Sequence, residues 1–160
     1  MYIADASFLI SLAKAELEGF LSILEPVVVP DLVFEEVKHQ REAIARLNLR
    51  IVELFDTSEV IEVMARFKGL SYQDAACIVS AKAALQDGKS PVVLTGDGPL
   101  RKACEIERLR VHGVLWFFDL LHEKEVLEAE VLCRALQKLL REEERLPQRE
   151  VAVRLRMWCR

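Results

Sequence analysis

Residues 92–99 have the sequence VVLTGDGP, and they decide how the rest of the chain is interpreted. Two valines, a leucine and a threonine in succession are typical of a strand that is buried on both faces. Gly96 and Gly98 allow a tight turn around Asp97, and Pro99 suits the first turn of a helix. The stretch therefore predicts a buried strand that leads directly into a helix, with a carboxylate at the carboxyl end of the strand.

The same alternation of strand and helix recurs along the chain. Short apolar segments predict five strands, at residues 2–4, 27–29, 50–55, 92–95 and 109–112. Helical spacing and capping residues predict helices at residues 7–15, 32–47, 58–67, 72–86 and from 99 onwards. We expect Asp31 to cap the second of these helices, and Ser71 and Asp74 to form a capping box on the fourth. Strands that alternate with helices indicate a parallel sheet with helices on both faces.

These patterns divide the chain into two parts. Residues 1–122 are predicted to form an α/β domain, with about five parallel strands in a three-layer α/β/α arrangement. Residues 123–160 are predicted to form a helical C-terminal extension, divided into two helices near Pro147, that packs on this domain or on a partner. Its leucines and valines form an apolar stripe, which consists of Val126, Leu127, Val131, Leu132, Leu136, Leu139 and Leu140. The stripe covers either the same chain or a second copy in a homodimer.

Length, composition and charge exclude several classes of protein. A chain of 160 residues with 52% hydrophobic residues is typical of one globular domain. Charges interrupt every apolar run well short of the roughly 20 residues that span a membrane, and the N-terminus lacks signal-peptide features, so we expect a cytoplasmic protein. The net charge of −4 argues against broad coating of nucleic acid. Residues 145–160, called the basic tail below, nevertheless carry a net charge of +4. Arg149, Arg154 and Arg156 in this tail are candidate contacts for RNA or a partner. The alternative is that they form only a solvated helix face.

The four cysteines lie too far apart in the sequence for a CxxC zinc motif, and the three histidines form no HxxxH pair. Cys77, Cys104, Cys133 and Cys159 have aliphatic neighbours, so each is interpreted as a small buried or half-buried hydrophobic side chain. We therefore expect no zinc site.

Several carboxylates are expected at the edge of the sheet where parallel α/β folds bind ligands. Asp5 directly follows the first strand, and Asp97 follows the fourth strand within its glycine turn. Asp74 lies in the first turn of the helix that precedes the fourth strand. Crowded carboxylates repel one another unless a cation neutralises them. Oxygen donors without histidine or cysteine favour Mg²⁺ or Mn²⁺, and a site of this kind suits phosphodiester hydrolysis.

The helix after the second strand offers two further carboxylates, Glu35 and Glu36. Glu36 shares a helix face with Leu32 and Val33, so it is predicted to lean toward the buried side. Glu35 shares its face with charged residues and is predicted to point to water.

Two hydroxyl side chains support the predicted site. Ser7 and Thr95 lie two residues from Asp5 and Asp97, where they can hydrogen-bond to a carboxylate or to a metal-bound water. Capping alone also explains Asp74, and a glycine-rich turn explains an aspartate at position 97, so the residues by themselves leave a purely structural role open.

Five segments of the sequence resemble, in order, the characteristic blocks of the PIN domain. They are DASFLI (5–10), PDLVFEEV (30–37), LSYQDA (70–75), VLTGDGPLR (93–101) and VHGVLW (111–116). Two positions depart from the family's pattern, because Gly96 replaces a common acid or asparagine and Val114 replaces a common threonine.

The resemblance implies a metal-dependent endoribonuclease built on a parallel sheet, with RNA as its substrate. Asp5, Glu36, Asp74 and Asp97 match the family's catalytic acids and would be the ligands of Mg²⁺ or Mn²⁺. Many such domains are the toxin half of a type II toxin–antitoxin pair, which adds an antitoxin protein as a partner, and related domains commonly dimerise. The extension, however, resembles that of solitary PIN-like proteins. The alternative function is a non-catalytic PIN-like module that binds RNA or a partner protein through its basic tail.

Overall fold

The computed structural model describes residues 1–24, 26–54, 56–142 and 144–160. Within this part of the chain, five strands form one sheet in the order β3-β2-β1-β4-β5. They are β1 (Tyr2–Ala4), β2 (Val27–Pro30), β3 (Arg50–Val52), β4 (Val92–Leu94) and β5 (Arg110–His112). Every neighbouring pair is parallel, which confirms the predicted parallel α/β sheet. Phe55, the end of the predicted third strand, lies outside the described residues.

Helices connect the strands and complete the chain. They are α1 (Ala6–Lys14), α2 (Asp31–Gln40), α3 (Glu42–Ala45), α4 (Ser58–Arg66), α5 (Tyr72–Gln86), α6 (Gly98–Ile106), α7 (Val114–Glu123), α8 (Ala129–Arg141) and α9 (Gln148–Trp158). A 3-10 helix at Glu18–Ile23 joins α1 to β2 and is an element that the sequence patterns did not predict. In the part of the chain that is described, no helix has both the length and the apolar character needed to span a membrane.

The core lies on both faces of the central strands. Residues of β2 and β4 are buried along their whole length, whereas the edge strands β3 and β5 are partly exposed. Helix α5 packs on β1, β2 and β4, and α4 and α6 lie against it. Helix α1 contacts α2, α3, α7 and α8 instead. This arrangement confirms the three-layer α/β/α fold and explains why the central strands lack polar residues.

The helix predicted at residues 32–47 with Asp31 as its cap is wrong in both respects. Helix α2 ends at Gln40, because Arg41 adopts an extended conformation with φ −138° and ψ 104°, and the short α3 follows. Asp31 is already inside the helix, and the N-cap position belongs to Pro30, which makes no side-chain cap. Among the residues that the structure describes, the Asp31 carboxylate accepts one hydrogen bond, from the adjacent Leu32 N–H at 2.9 Å.

The C-terminal extension folds back on the rest of the chain. Helix α8 contacts α1, α7 and α9, and it buries Leu132, Leu136 and Leu139 of the apolar stripe. Val126 and Leu140 of the same stripe remain exposed. Helices α8 and α9 are separate elements on either side of Pro147, as predicted. Most of the stripe is therefore covered within one chain.

A disulfide bond between Cys133 and Cys159 joins α8 to the residue after α9, with a sulfur–sulfur distance of 2.06 Å. The prediction that all four cysteines act as separate small hydrophobic side chains is therefore wrong for this pair. It is confirmed for Cys77 and Cys104, which are free thiols and buried. Spacing of 26 residues could not reveal the pair, because only the antiparallel return of α9 along α8 brings the two side chains together.

Removing this disulfide is expected to lower thermal stability strongly. The bridge closes a loop with a sequence separation of 26 residues. A loop of that size is worth about 3.5 kcal/mol by the chain-entropy relation, or a melting temperature lower by roughly 7–14 °C for a chain of this length. Melting curves of the Cys133→Ser/Cys159→Ser variant and of the wild type with and without a thiol reductant measure the effect. Equal melting temperatures in all three samples would contradict the prediction.

Candidate functional site

Three aspartates from distant parts of the sequence meet at the carboxyl edge of the sheet. Asp5 follows β1, and its backbone N–H donates to Leu94 O of the adjacent strand β4 at 3.0 Å. Asp97 caps α6, which begins just after β4. Asp74 lies in the first turn of α5, which packs across β1 and β4. The topology therefore brings together residues that are separated by up to 92 positions.

The carboxylate of Asp5 is buried and accepts several hydrogen bonds. Its Oδ1 accepts the Phe8 N–H at 2.8 Å, which caps α1. The Ser7 hydroxyl lies 2.9 Å from both carboxylate oxygens, and the Thr95 hydroxyl donates to Oδ2. Asp5 is only 2% exposed, so these donors replace the water that it loses on folding.

The two hydroxyls connect Asp5 to the backbone of the β4–α6 turn. Ser7 Oγ accepts the Gly96 N–H at 2.8 Å, and Thr95 Oγ1 accepts the Asp97 N–H at 2.9 Å. Because each hydroxyl oxygen receives a backbone hydrogen, its own hydrogen is available to Asp5. Ser7 and Thr95 thus hold the turn and the buried carboxylate in a fixed relation.

Burial raises the pKa of Asp5 from its ordinary value near 3.8 to about 7. The hydrogen bonds from Thr95, Phe8 and Ser7 lower this pKa, and the negative charge of Asp74 raises it. The loss of water outweighs the donors, because a carboxylate charge inside the protein is costly even when it is hydrogen-bonded. Near neutral pH the Asp5 carboxyl is therefore present in both its protonated and its ionised form, and a positive charge close to it would favour the ionised form.

Asp74 and Asp97 each use one carboxylate oxygen to cap a helix. Asp74 Oδ2 accepts the Ser71 N–H at 3.1 Å, which completes the predicted capping box, and Asp97 Oδ1 accepts the Leu100 N–H at 2.8 Å. The other oxygen of each, Asp74 Oδ1 and Asp97 Oδ2, accepts no hydrogen bond from a described residue. Capping therefore orients both side chains and leaves one oxygen of each available for a ligand.

The negative charges of the three aspartates act on one another and on the core below them. Burial, and then the charge of Asp97, raise the pKa of Asp74 against the effect of its capping hydrogen bonds. Burial raises the pKa of the Cys77 thiol well above its usual range, and the charges of Asp5 and Asp74 add to this shift. The three carboxylates therefore form one electrostatic cluster, with Cys77 underneath as an unreactive thiol.

Glu36 makes no hydrogen bond with the three aspartates. Its side chain is exposed, as is that of Glu35, so the prediction that it leans toward the buried side is wrong. The buried positions of α2 are Val33 and Val37, and the charge of Glu36 is not among the causes that shift the pKa of Asp5 or of Asp74. The neighbouring Glu35 pairs with Lys38 at 2.7 Å, in agreement with its predicted solvent-facing position.

The three arginines that were selected as candidate contacts in the basic tail have different surroundings. Arg154 donates to both carboxylate oxygens of Asp119 on α7 and to Glu150, so its guanidinium holds α9 in place. These partners raise the pKa of Arg154, with the hydrogen bond to Asp119 as the largest cause. Arg149 and Arg156 are exposed. Of the three candidates, Arg149 and Arg156 therefore remain open for contact with another molecule.

The linker between α8 and α9 forms one wall of a cleft beside the aspartates. The cleft, called the extension cleft below, has a volume of about 550 Å³, and its lining includes Ser7, Thr95 and Trp116 together with residues 144–147. Glu144 fixes the linker by accepting Lys14 Nζ at 2.6 Å and Ser11 Oγ at 3.1 Å. A larger cleft of about 780 Å³ lies at the opposite edge of the sheet, near the start of β2 and β3 and far from the carboxylates.

Arg101 is a residue of this region that the sequence interpretation did not select. It lies one helical turn after Asp97, and its Nη2 is 3.4 Å from Thr95 O. A Cβ atom at Gly113 would lie 3.0 Å from the same Nη2, so the glycine leaves the space that the guanidinium occupies. Its position four residues after the helix cap was the available signal, since that spacing returns a side chain to the same end of the helix.

The donor set agrees in chemistry with a hard divalent cation. Asp5, Asp74 and Asp97 offer only carboxylate oxygens, and burial and mutual repulsion raise the pKa of the first two, which a cation would reverse. Among the described residues, however, no group of three or more acidic, histidine or cysteine side chains is arranged to hold a metal ion. The residues thus fit the cation by the type of their donor atoms, while Asp74 and Asp97 each direct one carboxylate oxygen to a capping N–H.

Fold and site together define a class, namely three-layer α/β proteins that carry an aspartate cluster at the carboxyl edge of a parallel sheet. The chain belongs to the PIN-domain family, because the family model described as "DUF3368: PIN domain" matches residues 1–159. This confirms the resemblance seen in the sequence. PIN domains are generally nucleases, and those nucleases generally use divalent metal ions.

A solved structure supports the fold independently. The structure of PAE2754 from Pyrobaculum aerophilum is similar with a TM-score of 0.53 and 21% sequence identity, over 76% of this chain and 95% of that chain. At that identity the similarity concerns the fold alone. No protein of curated function matches the sequence.

Proposed function

We propose that this protein is an endoribonuclease that depends on Mg²⁺ or Mn²⁺ and hydrolyses RNA phosphodiester bonds. The observation that carries the proposal is the convergence of Asp5, Asp74 and Asp97 on three helix N-termini at one edge of the sheet, where burial raises the pKa of Asp5 to about 7. A carboxylate cluster of this kind is stable in its charged form only with a cation.

The three aspartates would hold the cation, through Asp5 and the uncapped oxygens of Asp74 and Asp97. When bound, a divalent cation neutralises the carboxylates and supplies the Lewis acidity that phosphodiester hydrolysis needs. Ser7 and Thr95 orient Asp5 by donating their hydroxyl hydrogens to it. The backbone of the β4–α6 turn holds these hydroxyls in turn, so the position of Asp5 is fixed before any ligand arrives.

Cleavage of a mixed tRNA and rRNA pool by the purified protein tests the proposal. We expect fragments with Mn²⁺ or Mg²⁺ and none with EDTA. Intact RNA in every metal condition would contradict the proposal for these two RNA classes.

Glu36 is proposed as a fourth acid of the site, on the strength of its match to the family's second block. Glu36→Gln is then expected to lower the cleavage rate by roughly tenfold or more, since one oxygen ligand loses its charge. Glu35→Gln is the matched control, because the adjacent exposed glutamate pairs with Lys38 instead. Rates of RNA cleavage at fixed Mn²⁺ measure both variants, and an equal effect of the two would remove Glu36 from the site.

A second candidate function is a non-catalytic module that binds RNA or a partner protein. The exposed Arg149 and Arg156 favour it, because a spacing of seven residues places both on one side of α9. This function predicts that RNA binding survives Asp5→Asn but weakens in Arg149→Gln/Arg156→Gln. Binding that is the same in both variants and in the wild type would contradict it.

The family resemblance extends the proposal to a toxin role in the cytoplasm, with an antitoxin protein as partner, and to a homodimer. Sedimentation at micromolar concentration tests the dimer directly, because the single chain has a mass of 18.3 kDa. Particles of only that mass would contradict it. Growth arrest on expression of the wild type, but not of Asp5→Asn, tests the toxin role.

A further inference from the structure

A groove next to the extension cleft carries an excess of positive charge. It has a volume of about 590 Å³ and lies between the α4–α5 connection and the first turns of α6. We call it the basic groove, and its lining includes Arg66, Lys68, Arg101 and Lys102 against a single acid, Glu105. A chain with a net charge of −4 thus places four cations around one groove.

Two of these cations are available for a ligand. Arg66 is engaged by Glu107, which also pairs with Lys82. Lys68 and Lys102 are exposed and form no ion pair or hydrogen bond with any described residue. Gly69, with φ +83°, turns the α4–α5 connection at this point. Its backbone lies close to Pro99, since a Cβ atom added to Gly69 would be 3.6 Å from the proline ring. The connection that bears Lys68 therefore lies beside Pro99 at the start of α6.

The basic groove adjoins the extension cleft. Gly98, the residue after Asp97, and Arg101 line both depressions, so the two lie next to each other at the start of α6. Arg101 lies at the junction, with its guanidinium held in the space that Gly113 leaves. A polymer that crosses the aspartates can therefore occupy both depressions at once.

We propose that the basic groove binds the phosphates of the RNA strand on one side of the cleavage point, with Lys68 and Lys102 as the contacts and Arg101 at the junction. The inference rests on the proposed nuclease function and adds the path of its substrate. The aspartates repel a polyanion, so cations beside them are needed to hold the strand over the site. Phosphates repeat along RNA at regular intervals and match exposed lysines without demanding a sequence.

The test measures binding rather than cleavage. The probe is a fluorescein-labelled single-stranded RNA of about 20 nucleotides, and anisotropy titrations in EDTA are made over a range of salt concentrations. Loss of two phosphate contacts is expected to reduce the slope of log K against log salt by about 1.4 and to weaken binding roughly tenfold at low salt. The variant is Lys68→Gln/Lys102→Gln, and its melting temperature is expected to match that of the wild type because both side chains are exposed.

Lys89→Gln/Lys124→Gln is the matched control, with the same loss of charge. Lys89 lies in the connection before β4, and Lys124 follows the end of α7, so both are at the opposite edge of the sheet. The same slope in the two variants, or no binding by the wild type, would overturn the basic groove. Binding that depends on Lys68 and Lys102, without any RNA cleavage, would support the basic groove and reject the nuclease function. RNA cleavage together with equal salt slopes in the two variants would support the nuclease function and reject the basic groove.

Discussion

Asp5→Asn is expected to abolish metal-dependent RNA cleavage while leaving the fold intact. The change keeps the volume of the side chain but replaces a carboxylate oxygen by an amide group that carries hydrogens. That group cannot bind a cation, and it faces the hydroxyls of Ser7 and Thr95, which already donate in the wild type. Loss of one stabilising group of this kind costs on the order of a hundredfold to a thousandfold in rate.

Initial rates of cleavage with Mn²⁺ measure this effect, and circular dichroism shows whether the fold survives. Asp87→Asn is the matched control, because Asp87 is exposed at the end of α5, on the other edge of the sheet. A folded Asp5→Asn variant that cleaves as fast as the Asp87→Asn protein would remove Asp5 from the site. If the Asp5→Asn protein is unfolded, Asp74→Asn tests the role of the aspartates instead, because the Asp74 carboxylate of the wild type is only half-buried.

The contribution of Asp5 to stability in metal-free buffer is expected to fall as the pH rises from about 4 to about 7. The folded state holds the proton of Asp5 up to a pKa of about 7, whereas the unfolded chain releases it near 3.8. Between these two pH values the native state therefore binds more protons than the unfolded state. The stabilising contribution of Asp5 is complete below its pKa in the unfolded chain, and it is lost as the pH rises through its pKa in the folded state. The shift corresponds to about 4 kcal/mol of unfolding free energy. The raised pKa of Asp74 acts in the same direction.

Urea unfolding at several pH values, in EDTA, measures this dependence. The difference between the wild type and Asp5→Asn isolates the aspartate from every other titrating group. Addition of Mn²⁺ above pH 7 is expected to restore stability to the wild type alone, because the cation binds the ionised carboxylate of the native state. Parallel pH curves for the two proteins would show that Asp5 titrates normally.

The sequence identified the strands and most helices correctly because local signals agree with the tertiary structure there. Residues 92–94 are apolar and buried on both faces, and the capping box of Ser71 and Asp74 forms as predicted. Each of these signals depends on residues within four positions of one another. Parallel order then follows from short strands joined by helices, which can return to the sheet in few ways.

Local signals led to wrong predictions within residues 31–47. The pattern of residues 32–47 is helical throughout, yet Arg41 is extended and divides it into α2 and α3. The face of Glu36 was judged from its helix neighbours alone. Its side chain is nevertheless exposed, whereas the fully buried positions of that helix are Val33 and Val37.

By itself, the sequence predicted the parallel α/β fold from short-range patterns, and its five motif blocks carried the resemblance to the family. It placed Asp5 and Asp97 after strands and Asp74 in a capping box. Only the tertiary structure decided what surrounds them. The return of α9 along α8 pairs Cys133 with Cys159, and the linker it anchors becomes a wall of the extension cleft. Packing between distant segments likewise buries Asp5 and places Lys68 beside α6. These features depend on contacts across many tens of residues, which leave no periodic trace in the sequence.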